Sequence, residues 1–196
     1  MSKGRLEAFS DGVLAIIITI MVLELKAPSG TDLDALRPML PVFLSYALSF
    51  VLVAIYWNNH HHLLQAARHV NGRILWANLH LLFWLSLTPF VTAWMGQTCF
   101  AAWPVAAYGL VFLLAGCAYY LLCRALIADH GPESTLALAV GRDVKGKASL
   151  VLYAIAIPLA FVDFRISCVM YALVAVIWLV PDRRIETVLT EKRREM

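Results

Sequence analysis

Residues 5–25, RLEAFSDGVLAIIITIMVLEL, carry no charge between Asp11 and Glu24. As an α-helix these 21 residues rise about 31 Å, the thickness of a bilayer's hydrocarbon core. Lys3 and Arg5 before an apolar run resemble a signal peptide. Glu7 and Asp11 interrupt that pattern, however, and no small-x-small cleavage site follows, so the stretch reads as a retained first membrane helix. Its acid stands out. Ser10 and Asp11 lie one turn from an isoleucine-rich run. An acid near the end of a membrane helix holds a partner or serves a function, or it sits close enough to the membrane face to be wetted.

The rest of the chain repeats this design. Of 196 residues, 61% are hydrophobic and only 15% charged, beyond the usual range of soluble domains. The apolar residues come in blocks separated by charge clusters, which gives an all-α, polytopic integral membrane protein with six transmembrane helices. The expected spans are 6–25, 38–65, 74–95 with Pro89 inside it, 105–128, 148–162 and 166–180. The last two are short. A polar link at 31–37 suggests one helical turn, and 130–147 is the longest polar connection. Residues 1–182 form one transmembrane domain, and 183–196 form a charged cytosolic tail. The sixteen Lys and Arg residues divide thirteen to three between alternate connections. That bias places both termini in the cytosol and the chain in a cell membrane. With a net charge of only +3, and its basic residues placed by topology, the chain is no candidate for nucleic-acid binding. Cys99, Cys117, Cys123 and Cys168 form no C-x-x-C pair, so neither a zinc knuckle nor a redox motif is indicated.

No enzyme constellation is present. H-E-x-x-H, G-x-S-x-G and the P-loop are all missing, and no cofactor is implied. The run His60, His61, His62 invites a metal reading, with His69 or His80 as helpers. Adjacent helical side chains diverge by about 100°, and no carboxylate is near in sequence, so no metal site is assigned. Hydrogen bonding between helix ends suits these histidines better, with Asn58 and Asn59 beside them. Tyr56 and Trp57 serve either as an aromatic belt or in specific packing. Asn78 falls near the same membrane face and must find a partner at that depth. A helix-packing network of Arg5, Phe9, Ser10, Asp11, Trp57, His60, His61 and Asn78 is expected, with Asp11 accepting from a histidine or Asn78. A T-V-G-Y-G carbonyl filter is absent. The nearest match, Ala107-Tyr108-Gly109, lies in a plain helix.

Arg5 with Phe9-Ser10-Asp11, then Val13, Ala15-Ile16 and Thr19, resembles the R-x-x-x-F-S-D signature of the transmembrane protein 175 family. Tyr56-Trp57 with His60-His61, then Asn78, then Leu87-x-Pro89-Phe90, is similar to that family too. The resemblance is to its prokaryotic members, which have one six-helix repeat where the animal proteins have two. It implies a homotetramer around one central pore lined by the first helix, conducting potassium and other monovalent cations. It also implies a filter of apolar side chains. His62 and the run Ile16 to Ile18 are small departures from the pattern.

On a helical wheel Ile16, Ile20 and Leu23 fall within about 60° of one another, with Thr19 at the border. Most apolar helices pack with such a stripe, so the pattern alone does not distinguish packing from a pore. The resemblance makes these three the expected pore constriction and Thr19 the polar group beside it. The leading expectation is therefore a potassium channel with modest preference over sodium. A proton-coupled small-cation carrier and a non-conducting scaffold remain as alternatives.

Overall fold

The structure, a computed structural model, describes residues 2–28, 30–131, 134, 137 and 143–179. The described chain is helical: α1 Lys3–Leu23, a 3-10 helix Leu33–Met39, α2 Leu40–Ala66, α3 Gly72–Ser86, α4 Thr88–Gln97, α5 Ala102–His130, α6 Val144–Leu159 and α7 Phe164–Leu179. Four rods are long and apolar enough to cross a membrane: Lys3–Leu23, Leu33–Ala66, Gly72–Gln97 and Ala102–His130. The 16-residue helices α6 and α7 complete the six-rod plan, each rising about 24 Å. The charged tail expected at 183–196 lies outside the described residues.

Local chemistry sets the breaks. The third rod is not one kinked helix but two, α3 and α4, parted at Leu87. Pro89 has no N–H to give, and its ring crowds the carbonyl four residues back. The ladder therefore closes early through Leu87 N to Trp84 O, 3.2 Å, and restarts with Pro89 in the first turn of α4, where proline fits. Asn71 caps α3, its side chain accepting from Ile74 N at 3.0 Å. Gly131, with φ of 89°, ends α5 in a left-handed conformation that favours glycine.

Helix α5 is the central strut, touching α3, α4, α6 and α7. One core holds Leu6, Leu14 and Ile17 of α1 with Leu63, Leu81 and Leu122. A second, more aromatic core holds Tyr108, Phe112, Tyr153 and Tyr171. Small residues permit the closest approaches. Gly96 of α4 lies so near α2 that an added Cβ would stand 2.7 Å from Val42 Cα. Helix α1 packs on α2, α3 and α4, which leaves it at the edge of the protomer.

Candidate ion path and its supporting polar cluster

Helix α1 has two opposite stripes. Leu6, Ser10, Leu14, Ile17 and Met21 are buried against the bundle. On the other side Ile16, Ile20 and Leu23 are 59%, 44% and 73% exposed, and Thr19 is exposed between them. The Thr19 hydroxyl donates to Ala15 O at 2.9 Å, so its oxygen lone pairs point away from the helix. The exposed stripe also contains Arg5, Phe9 and Gly12. This corrects the expected network. Arg5 and Phe9 fall within about 20° of Ile16 on the wheel, so they lie on the outer stripe and make no hydrogen bond to the polar cluster among the described residues.

That cluster has two branches behind the stripe. In the first, Asn78 is fully buried, donating to Ser10 Oγ at 3.0 Å and joined through Oδ1 to His60 Nε2 at 2.7 Å. Ser10 Oγ in turn donates to Leu6 O at 2.9 Å. Every polar atom of this chain of groups that points inward is used, as burial at membrane depth demands. In the second branch Asp11 accepts from Trp57 Nε1 at 2.9 Å, and the Trp57 ring stacks on His61 at 5.8 Å between centroids. The donor to Asp11 is thus the indole, not a histidine or Asn78. Asp11 stands about 100° around the helix from Ser10, which carries it from the buried seam to the rim where Trp57 sits.

The histidines divide by the same geometry. His60 turns inward, His61 goes to Trp57, and His80 accepts from Trp84 Nε1 at 2.9 Å on the exposed side of α3. His69 instead meets Asp129, Nε2 to Oδ2 at 2.8 Å, with its ring stacked on His130 at 4.6 Å. His130 bonds Leu126 O through Nδ1 and accepts Arg68 N–H at Nε2, both at 2.9 Å. Asn71 donates to Asp129 at 2.6 Å. With both His130 nitrogens committed, this trio ties the α2–α3 turn to the end of α5. A further polar group escaped the sequence reading. Ser49 Oγ meets Thr92 Oγ1 at 2.7 Å and Tyr108 Oη at 3.1 Å. Its signal was the pair Ser45 and Ser49, one turn apart in the otherwise apolar first half of α2.

A model of the endosomal/lysosomal potassium channel TMEM175 matches residues 5–89, which takes in α1, α2, α3 and the start of α4. A protein named a potassium channel from Chryseobacterium sp. (strain P1-3) is 54% identical over 191 residues, covering 97% of this chain and all of that one. The chain belongs to the TMEM175 family. A second relative, named a potassium channel from Streptomyces collinus, is 35% identical over 48% of each protein. The crystal structure titled a lysosomal potassium-selective channel TMEM175 homolog from Chamaesiphon minutus superposes with a TM-score of 0.78 at 26% identity. That superposition covers 92% of this chain and 97% of that one. The TMEM175 fold therefore extends through α5, α6 and α7, beyond the residues that the family model matches. TMEM175 proteins are ion channels and not enzymes.

Proposed function

We propose that this chain is the subunit of a potassium-preferring channel, assembled as a homotetramer in the cell membrane with both termini in the cytosol. The observation that carries the reading is the outer stripe of α1. Ile16, Ile20 and Leu23 are the most regular apolar row on an edge helix, and they are exposed in the single protomer. Repeated by fourfold symmetry, each becomes a ring around the axis. Rings without oxygen ligands do not replace an ion's hydration shell. They narrow the path, expel water when closed, and penalise an ion that holds its water tightly. Sodium holds its water more tightly than potassium, so the preference is for potassium and is modest. The Thr19 oxygens lie beside the rings and face a partly dehydrated ion. Arg5 stands about 16 Å along the axis from Ile16, at the wide cytosolic mouth. The Ser10–Asn78–His60 cluster fixes the rotation of α1 and so keeps the stripe turned inward.

The test is the reversal potential of reconstituted channels under bi-ionic potassium and sodium. Ile16→Asn, Ile20→Asn and Leu23→Ala lower the potassium-to-sodium permeability ratio severalfold, with Ile16 or Leu23 the most sensitive. If all three variants fold and conduct with the ratio unchanged, the path does not run along this stripe. In liposomes, passive flux following the Nernst potential marks a channel, whereas flux tied to proton counterflow marks a carrier.

A further inference from the structure

His69 lies in the turn between α2 and α3, and no carboxylate is near it in the sequence. The fold supplies one. Asp129 and His130 come from the last turn of α5, and one ligand atom from each of the three residues lies within 4.8 Å of the other two. Asp129 Oδ2 is 2.8 Å from His69 Nε2. That is hydrogen-bond distance, yet Oδ2 is buried and makes no hydrogen bond among the described residues. The ring nitrogen stands beside the oxygen without aiming a proton at it. Two lone-pair atoms held this close repel unless a cation lies between them. On one tetrahedral zinc ion, two such ligands stand about 3.3 Å apart, near the spacing seen here.

The neighbours hold these groups as outer partners hold metal ligands. Asn71 Nδ2 donates to the other carboxylate oxygen, Oδ1, at 2.6 Å, and Asn71 is itself fixed by accepting from Ile74 N. Oδ2 is thereby turned towards His69. The His130 side chain is 5% exposed, and its Nδ1 donates to Leu126 O at 2.9 Å. Ligating histidines are oriented by such a bond from the ring nitrogen that does not touch the metal. The proton on Nδ1 leaves a lone pair on Nε2, which the Arg68 N–H now uses. Arg68 is exposed, so its N–H turns to water when an ion takes that lone pair. The His69 side chain, 62% exposed, leaves the trio open to solvent, for entry of an ion and for water ligands.

We propose that His69, Asp129 and His130 bind a divalent transition-metal ion of the zinc and nickel class, with water completing its shell. Two imidazoles and one carboxylate suit such an ion, whereas Mg²⁺ and Ca²⁺ are held by oxygen ligands. Bound there, the ion pins the α2–α3 turn to the end of α5. The site does not depend on the conduction reading, since α1 contributes no ligand to it.

The full chain in detergent, purified through a tag without histidine, is titrated with zinc chloride in a calorimeter. One ion per chain is expected, with Ni²⁺ competing and Mg²⁺ not. Zinc also raises the unfolding midpoint, because it binds the folded chain. His69→Ala changes an exposed position and weakens binding by at least about tenfold, the loss that removal of even an outer partner brings. It also removes the zinc-dependent rise in midpoint. Asp129→Asn keeps an acceptor for Asn71, removes the charge and gives the same loss. His62→Ala, in the histidine run of α2, leaves binding as it is. Binding that never saturates, equal competition by Mg²⁺, loss in His62→Ala in place of His69→Ala, or binding that both His69→Ala and Asp129→Asn leave intact overturns the proposal.

Discussion

Asn78 shows how much a single side chain carries at membrane depth. Its amide joins α1 to α2 by serving Ser10 with its nitrogen and His60 with its oxygen. Replacing it by alanine removes the partner of the buried His60 Nε2 and the donor to Ser10 Oγ, and an orphaned buried group costs more than an ordinary hydrogen bond returns. Interhelical hydrogen bonds in membranes are modest on average, since the unfolded reference also finds partners. Asn78→Ala is therefore expected to cost about 1–3 kcal/mol, read as a lower midpoint of thermal unfolding in detergent. Because the same bonds set the rotation of α1, the variant should also lose ion selectivity where it still assembles. Asp11 plays a different part at the rim. Its bond to Trp57 ties α1 to α2 on a flank about 140° around the helix from Ile16, a role that a lone carboxylate in a sequence does not reveal.

Elements in this bundle are held by close approach as much as by polar bonds. Gly96 brings α4 onto Val42 of α2, and Gly109 of α5 receives the Tyr171 ring of α7, where an added Cβ would lie 2.8 Å from the Tyr171 Cζ. The Tyr171 hydroxyl passes beyond the glycine to donate to Val105 O at 3.0 Å. Alanine at either site forces helices or a fully buried ring apart, and overpacking of this kind costs about 1–3 kcal/mol. Gly96→Ala is expected to be the worse, because it meets backbone where Gly109→Ala meets a side chain. Unfolding midpoints of the two variants rank them. By contrast Gly12, on the outer stripe, faces open space, and a Cβ added there meets nothing within 4 Å in the protomer. Alanine at that position leaves the protomer's own packing untouched.

At the scale of the whole molecule, the two ends of the bundle differ in charge. Lys3 Nζ reaches Gln65 O at 3.2 Å, and the His69–Asp129 pair closes the same end. At the other end Gln97 meets Glu24 at 3.5 Å, and Phe100 stacks on Phe164 at 6.3 Å. Cys99 is exposed in the turn between α4 and α5, on the side with few basic residues. A membrane-impermeant maleimide added to intact cells is expected to label it, and Cys99→Ser to abolish that labelling. Labelling only after the cells are opened would invert the proposed orientation. Class, six-rod plan and the stripe on α1 were legible in the chain, because bilayer thickness and helical period act on residues close together in sequence. The break at Leu87 was half legible: Pro89 announced a kink, and the early closing of the ladder made it two helices. The partners were not legible. Ser10 meets Asn78 across 68 residues and Asp11 meets Trp57 across 46, while Arg5 and Phe9, in the same signature, turn the other way. Which of two neighbouring residues on a helix faces a partner is fixed by how helices rotate as they pack, and that rotation comes from the summed contacts of the bundle, not from any one segment.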